Sequence, residues 1–415
     1  MELQIQSIAP NNVGSMTLAV EQTVNSQNSQ AVDYRAIATS LAQEFAATAV
    51  ERDAKGGTPQ AERDKLRQSG LLKLVIPQEY GGIGDRWTTA LQITRDFAKV
   101  DSSIAHLFSY HHLGVTAPHI FGTAEQKERY YKLTAENNWF WCNGFNPLDR
   151  RVSLTPEAGH FRLNGIKSFC SGSVDSDLIP VSAVQAGVEG FAIAIVPTAR
   201  EGVTVNGDWD NMGQRQTDSG SITFDNVLVQ PEEILRPDLN NGVFKTIRSC
   251  LTQITFANIY LGIALGSLEA AQEYTRTQSR AWLTSGVEQA TQDPYILHHY
   301  GEMWVNLQGA IALTDQANQK VQATWERGDQ LTAEERGECA VAIASAKILA
   351  TKVGLDVTSR IFEVMGTRST ASKYGFDRYW RNLRTFTLHD PVDYKIRAMG
   401  DWALNQQLPK PDYYS

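Results

Sequence analysis

The 415-residue chain is short of cysteine, of basic charge and of long apolar runs, and each shortage removes a class of function. Its four cysteines, Cys142, Cys170, Cys250 and Cys339, lie far apart and include no C-x-x-C pair. Such spacing supplies neither a zinc site nor a disulfide framework, and it suits a reducing cytoplasm. Lys and Arg number 38 against 46 Asp and Glu, a formal charge of −8. With no basic run to meet phosphates, neither nucleic acid nor an anionic membrane surface is an expected partner. No apolar run is expected to span a membrane. The first thirty residues lack a basic start followed by an apolar block, so no signal peptide is expected. The absence of G-x-G-x-x-G argues against a resident NAD(P)H site. His111–His112 and His298–His299 are adjacent pairs whose rings point apart on a helix, with no carboxylate to complete a ligand set, so no metal is expected.

What remains is an ordinary globular composition, 42% hydrophobic and 20% charged, on a length that accommodates about two or three domains. The periodicity changes twice along it. Thr58-Pro59 followed by Glu62 is expected to open a helix, a hydroxyl cap before a proline at the first helical position. Leu66, Leu71 and Leu72 follow at helical spacing, Ile76–Gly84 breaks the pattern with proline and paired glycines, and a further helix is expected over roughly Thr88–Val100. From Val152 to Val229 the period becomes two: Phe161, Leu163, Phe191, Ile193, Ile195, Ile222 and Phe224 alternate with other residues, and Glu157-Ala158-Gly159 is expected to be a hairpin turn. Helical spacing returns near Gly242, with Leu251, Ile254, Asn258, Leu261, Leu265 and Leu268 on one face. Thr332-x-x-Glu335 is a capping box, and Asp390-Pro391 is expected to cap the last helix. The expected divisions are a loosely ordered tail at 1–30, a helical domain at 31–139, a β domain at 140–240 and a helical bundle at 241–415.

Two of these segments carry a resemblance. N-G-I-K-S-F-C-S-G (Asn164–Gly172) and M-G-Q-R-Q-T-D-S-G-S-I-T-F-D-N-V (Met212–Val227) resemble the flavin-embracing middle domain of the acyl-CoA dehydrogenase superfamily. P-x-E-Y-G-G-x-G, from Pro77, marks the same scaffold. Narrower matches, among them H-L-F-S-Y-H, F-A-N-I-Y-L-G-I-A, E-Y-T-R-T-Q-S-R, Y-G-F-D-R-Y-W-R-N-L-R-T and L-H-D-P-V, resemble the dibenzothiophene monooxygenases, the flavin-dependent desulfurisation branch of that superfamily. The resemblance runs from about residue 33 to the C-terminus. It implies an α+β, mostly α, fold with an N-terminal helical domain, a middle antiparallel β-barrel domain and a C-terminal four-helix bundle.

The resemblance also implies a function. Where the dehydrogenases carry a carboxylate base in a Glu-Gly context, this chain reads His389-Asp390-Pro391. A C4a-hydroperoxide of reduced FMN, formed with O2, would oxygenate the sulfur of a hydrophobic, dibenzothiophene-like substrate. His389, Ser171 and Asn143 are the implied catalytic residues, with Asn143 and Ser171 also on the isoalloxazine ring. His106 and Tyr110, four apart and so on one helical face, line the substrate pocket with Trp209. Arg280 and Arg368 are the implied cofactor residues. E-V-M-G-T-R-S-T places Arg368 where FAD-using relatives are glycine-rich, and a guanidinium can grip a terminal phosphate, which favours FMN. Both arginines would serve the flavin of a neighbouring subunit in a cytoplasmic homotetramer, with FMNH2 supplied by a separate NAD(P)H-dependent flavin reductase. Two departures bear on the substrate: the loop from Asn143 to Arg150-Arg151 is shorter than in dibenzothiophene monooxygenase, and Phe386 stands where that enzyme has a second histidine. Oxygenation of small alkyl sulfur compounds or another heteroatom is an alternative, as are an FAD acyl-CoA dehydrogenase using Asp390 as base and a non-catalytic protein that retains the fold.

Overall fold

The computed structural model describes residues 32–237 and 242–415. Residues 34–415 gather into one compact unit. The tail expected at 1–30 lies outside the described residues.

The chain enters through α1 (Tyr34–Lys55), α2 (Gln60–Gln68), α3 (Trp87–Val100), α4 (Ser102–Val115), α5 (Ala117–Phe121) and α6 (Ala124–Asn137). α4 is buried along its whole length, as a helix wrapped by other elements must be. Its start is fixed by Asp101, whose side chain accepts from the amides of Ser103 and Ile104 at 2.9 and 3.1 Å. α2 begins one residue later than expected, and Thr58 does not cap it. Its hydroxyl donates instead to Asp218 Oδ1 at 2.9 Å, because that carboxylate is buried and needs donors.

Antiparallel strands follow: β1 (Val152–Glu157), β2 (His160–Lys167), β3 (Leu178–Ala183), β4 (Ala192–Pro197), β5 (Val203–Val205), β6 (Ile222–Val229) and β7 (Ile234–Leu235). They make a four-stranded sheet in the order β1-β2-β6-β5 and a three-stranded one in the order β3-β4-β7, linked by a bridge between Ser153 and Val184. Ala158-Gly159 turns the first hairpin, pairing Glu157 with His160, with Gly159 at φ +83°. Of the alternating residues, Leu163, Ile222 and Phe224 fill the interior of this region with Val152, Ile179, Val196 and Val227.

The helices then resume with α7 (Ile247–Thr277), α8 (Pro294–Glu326), α9 (Ala333–Met365), α10 (Asp377–Thr387) and α11 (Val392–Asn405). Thr332 and Glu335 form the expected capping box at the head of α9. α7 is central, packed on α8, α9, α10 and also α3. Two glycines allow that last approach: a Cβ at Gly262 would lie 2.4 Å from Arg95 O, and one at Gly266 would lie 1.9 Å from Lys99 O. The segment Val243–Thr277 is also long and apolar enough to cross a membrane, contrary to the reading of the sequence, but 83% of its most apolar window is buried inside the protein. It is the core helix.

Candidate active site

Three backbone segments converge beside α4. Asn143 N–H donates to Ser171 O at 2.9 Å, Cys170 N–H to Gly220 O at 2.9 Å, and Gly172 N–H to Thr217 O at 2.8 Å. The F-C-S-G stretch is thereby held between the chain after Trp141 and the loop after Gln214. Arg63, on α2, locks it from behind. Its fully buried guanidinium donates to Gly172 O at 3.0 Å and to Asp175 O, lies 3.3 Å from Asp218 Oδ2, and stacks 4.2 Å from the centre of the Phe140 ring. The result is a row of buried hydroxyls. Ser171 Oγ is 2.8 Å from Ser219 Oγ, Ser219 Oγ is 2.7 Å from Thr217 Oγ1, and Thr217 donates to Gln214 O at 2.9 Å.

This row forms one wall of a cavity of about 1280 Å³, which Asn143, Ser171, His106, Tyr110, Trp209 and His389 all line. Phe169 and Gln214, also on the wall, hold left-handed backbone at φ +58° and +54°. Residues other than glycine adopt that conformation at a cost of about 1–3 kcal/mol each, and such strain gathers at functional sites. Trp209 is fixed by its indole N–H, which donates to Gln214 O at 2.8 Å.

On α4 the rings of His106 and Tyr110 stack at 4.1 Å, as their four-residue spacing requires, and Phe386 meets His106 edge-on at 4.8 Å. His106 is 6% exposed, and neither of its ring nitrogens has a partner among the described residues. Burial first, and then the facing His389, push its pKa down to about 3, so the ring is neutral. A buried imidazole with two unused polar atoms is costly unless something enters the cavity to meet them.

His389 follows α10, with its side chain 37% exposed and its ring 4.5 Å from that of Phe256. Asp390 does not cap α11, which starts at Val392 without a side-chain cap. The cause is electrostatic. The Asp390 side chain is 5% exposed and turned inward, where its Oδ1 lies 2.6 Å from Lys347 Nζ, while Lys395 stands 3.6 Å from Oδ2. Burial raises the Asp390 pKa, but the His389 hydrogen bond and the two ammonium charges outweigh it and hold the carboxyl well below its usual range. An ionised carboxylate only accepts, so His389 Nδ1, 3.0 Å from Oδ1, is the donor. That fixes the tautomer of the neutral ring and leaves Nε2 as the basic nitrogen.

Arg280 and Arg368 are not on this cavity. Both are exposed and lie beyond the C-terminal ends of α7 and α9, and Arg368 Nη2 donates to Gln278 O at 3.1 Å. Sequence reasoning missed Thr217 and Ser219, which lie in the Met212–Val227 segment and were used there only as part of a family resemblance. It also missed Lys347 and Arg248. The available signal was the same for both: a single cation inside an apolar helical run, A-S-A-K-I-L-A for Lys347 and T-I-R-S-C-L for Arg248.

The acyl-CoA dehydrogenase N-terminal, middle and C-terminal domains match residues 30–138, 147–227 and 254–394. The chain belongs to the acyl-CoA dehydrogenase family. Among its relatives it is 48% identical to a probable FMNH2-dependent monooxygenase, SfnC, of Pseudomonas putida, over 92% of this chain and 97% of that protein. It is 47% identical to dibenzothiophene monooxygenase of Rhodococcus qingshengii, over 96% of this chain and 100% of that one. The solved structure of methanesulfinate monooxygenase MsuC from Pseudomonas fluorescens superposes with a TM-score of 0.90 at 49% identity, covering 92% of this chain and 100% of that chain.

Proposed function

We propose that this protein is a monooxygenase that uses reduced FMN and O2 to oxygenate the sulfur of an organosulfur substrate. One observation carries the reading: at the position that decides the chemistry, an imidazole faces the cavity while the adjacent carboxylate is withdrawn from it. Proton abstraction beside a thioester needs a carboxylate over the substrate, and Asp390 is buried against Lys347 and absent from the cavity wall. The cavity carboxylates Asp210 and Asp412 are both exposed.

The residues present fit a flavin. The volume exceeds that of a typical small-ligand pocket, roughly 300–1,000 Å³, and the unpartnered His106 nitrogens and Gln214 Oε1 await polar atoms. Asn143 and Ser171 would hold the ring edge, and Arg280 and Arg368 the phosphate of a neighbouring subunit's FMN in a homotetramer. When bound, reduced FMN supplies the electrons that activate O2, of which one atom goes to sulfur and the other leaves as water. His389 holds and returns a proton through Nε2, with its orientation set by Asp390. The apolar surfaces of Phe169, Trp209, Phe386 and Tyr110 keep water from the reacting atoms. A separate NAD(P)H-dependent reductase supplies the reduced flavin, which makes the system two-component, and the cytoplasm is the proposed location.

The test is His389→Ala, assayed with FMN, NADH and a generic flavin reductase against a panel of thiophenes and small sulfur compounds. Oxygenated product should disappear while FMN still binds. Undiminished oxygenation would remove the role assigned to His389, and anaerobic bleaching of bound flavin by an acyl-CoA would return the protein to the dehydrogenases. Oxygenation of a small sulfur compound rather than a fused thiophene is favoured by one further residue, Arg248.

A further inference from the structure

The first turns of α7 contribute Arg248, Ser249 and Thr252 to the cavity, and Thr246 just before them lines it too. Arg248 is 9% exposed. Its guanidinium donates to Thr252 Oγ1 and lies 5.5 Å from the centre of the Phe145 ring. No carboxylate lies within ion-pair distance of it among the described residues. Of the other deeply buried arginines, two face carboxylates and the third, also without one, is held by several hydrogen bonds. Arg63 faces Asp175 and Asp218, Arg95 faces Asp315 at 2.7 Å, and Arg336 is bonded to Thr246, Ser249 and Ser415. Desolvation lowers the Arg248 pKa to about 10, so the group keeps its charge at neutral pH.

An unpaired buried cation on a cavity wall is expensive unless an anion joins it. Its surroundings suit one. The amino-terminal turns of a 31-residue helix lie beside it, where the helix dipole favours negative charge. The hydroxyls of Ser249 and Thr252 line the same wall, and Lys245 adds a second cation to it. The reacting end is near: the Tyr110 hydroxyl senses the Arg248 charge, its ring stacks on His106 at 4.1 Å, and it is joined to His389 through Phe256 at 6.2 and 4.5 Å.

We propose that Arg248 is a specificity-determining residue that takes the anionic head of the substrate, so that the compound oxygenated here is a small organosulfur oxyanion of the sulfinate class. The inference rests on the reading of the cavity as a sulfur-oxygenating site and narrows it. The sulfur lone pair of R–SO2− forms a new S–O bond as the O–O bond of activated oxygen breaks. Sulfur loses two electrons and becomes the sulfonate R–SO3−, reduced FMN supplies two more, and the second oxygen leaves as water with two protons. A neutral thiophene would leave the guanidinium unmatched, which is a penalty against that class.

Two measurements test this. The first is calorimetric binding of methanesulfinate to the flavin-free protein, with Arg248→Leu and Arg248→Lys as variants. Wild type should bind, Arg248→Leu should weaken binding on the order of 100-fold, as expected for a lost charge-assisted pair, and Arg248→Lys should fall between. The second is the ratio of kcat/KM for methanesulfinate to that for dibenzothiophene with reduced FMN, which should favour the sulfinate in wild type and drop by a similar factor in Arg248→Leu. Failure of wild type to bind methanesulfinate overturns the proposal, even if dibenzothiophene is oxygenated and the monooxygenase reading stands. So does a loss of FMN affinity in Arg248→Leu as large as the loss for sulfinate, which would assign the charge to the cofactor. Binding of sulfinate without oxygenation of any sulfur compound would instead count against the proposed function while supporting an anion site at Arg248.

Discussion

Replacing Lys347 with methionine isolates the ion pair that withdraws Asp390 from the cavity. The two side chains are 2% and 5% exposed and their charged atoms are 2.6 Å apart. At an effective dielectric of about 20, unit charges that close attract by roughly 6 kcal/mol. Desolvation of both ions offsets much of this, but removing one partner from a buried pair costs about 3–5 kcal/mol, because the other charge is stranded. Lys395 at 3.6 Å from Oδ2 provides partial relief, which places the expected loss near the lower end, about 3 kcal/mol. Methionine retains the stem volume, so little of the loss should come from packing. The assay is urea unfolding of flavin-free protein at pH 6, where Lys347, held down to about 7 mainly by burial with Asp390 offsetting part of the shift, is charged. The oxygenation rate is the second readout, since Asp390 orients His389 through the 3.0 Å contact; kcat should fall while FMN affinity holds. The sign of the stability linkage is also fixed. Between pH 7 and the unfolded lysine value near 10.5, the unfolded chain carries more protons, so this residue makes wild-type stability rise with pH across that window. Lys347→Met should lack that rise. A stability loss below about 1 kcal/mol together with an unchanged kcat would refute the argument.

Other perturbations give distinct signatures. His106 is held down to about 3 in the fold against 6.5 when unfolded, so below pH 6.5 the unfolded chain binds the extra proton and wild type loses stability as pH falls. His106→Phe removes that contribution, and its unfolding midpoint should gain on wild type progressively from pH 7 to pH 5. Ser171→Ala removes one end of the hydroxyl row but leaves Ser219 bonded to Thr217. It should weaken FMN binding by roughly 5–10-fold, as for one hydrogen bond, measured by fluorescence titration, with unfolding little changed. Gly266→Ala forces a Cβ to within 1.9 Å of Lys99 O and should cost about 1–3 kcal/mol through separation of α3 from α7, read as a lower urea midpoint. An unchanged midpoint would mean that the two helices slide apart freely.

Much of the architecture was legible in the chain because local patterns carry it. The change from helical to alternating spacing marked the β region, Thr332-x-x-Glu335 capped α9, Gly159 turned the first hairpin, and a spacing of four put His106 and Tyr110 on one face. Asn143, Ser171 and His389 were named on resemblance to a family; composition and spacing alone did not single them out. Tertiary structure decided the rest, because the deciding partners are distant in sequence. Asp390 reads locally as a helix cap, and only Lys347, brought by α9, turns it inward. Thr58 reads as a cap until Asp218 claims its hydroxyl. Arg248 reads as one cation among 38, and its meaning lies in having no carboxylate beside it among the described residues of the folded chain. Spacing and periodicity are properties of neighbours along a chain, whereas desolvation and charge pairing depend on which segments the fold encloses together.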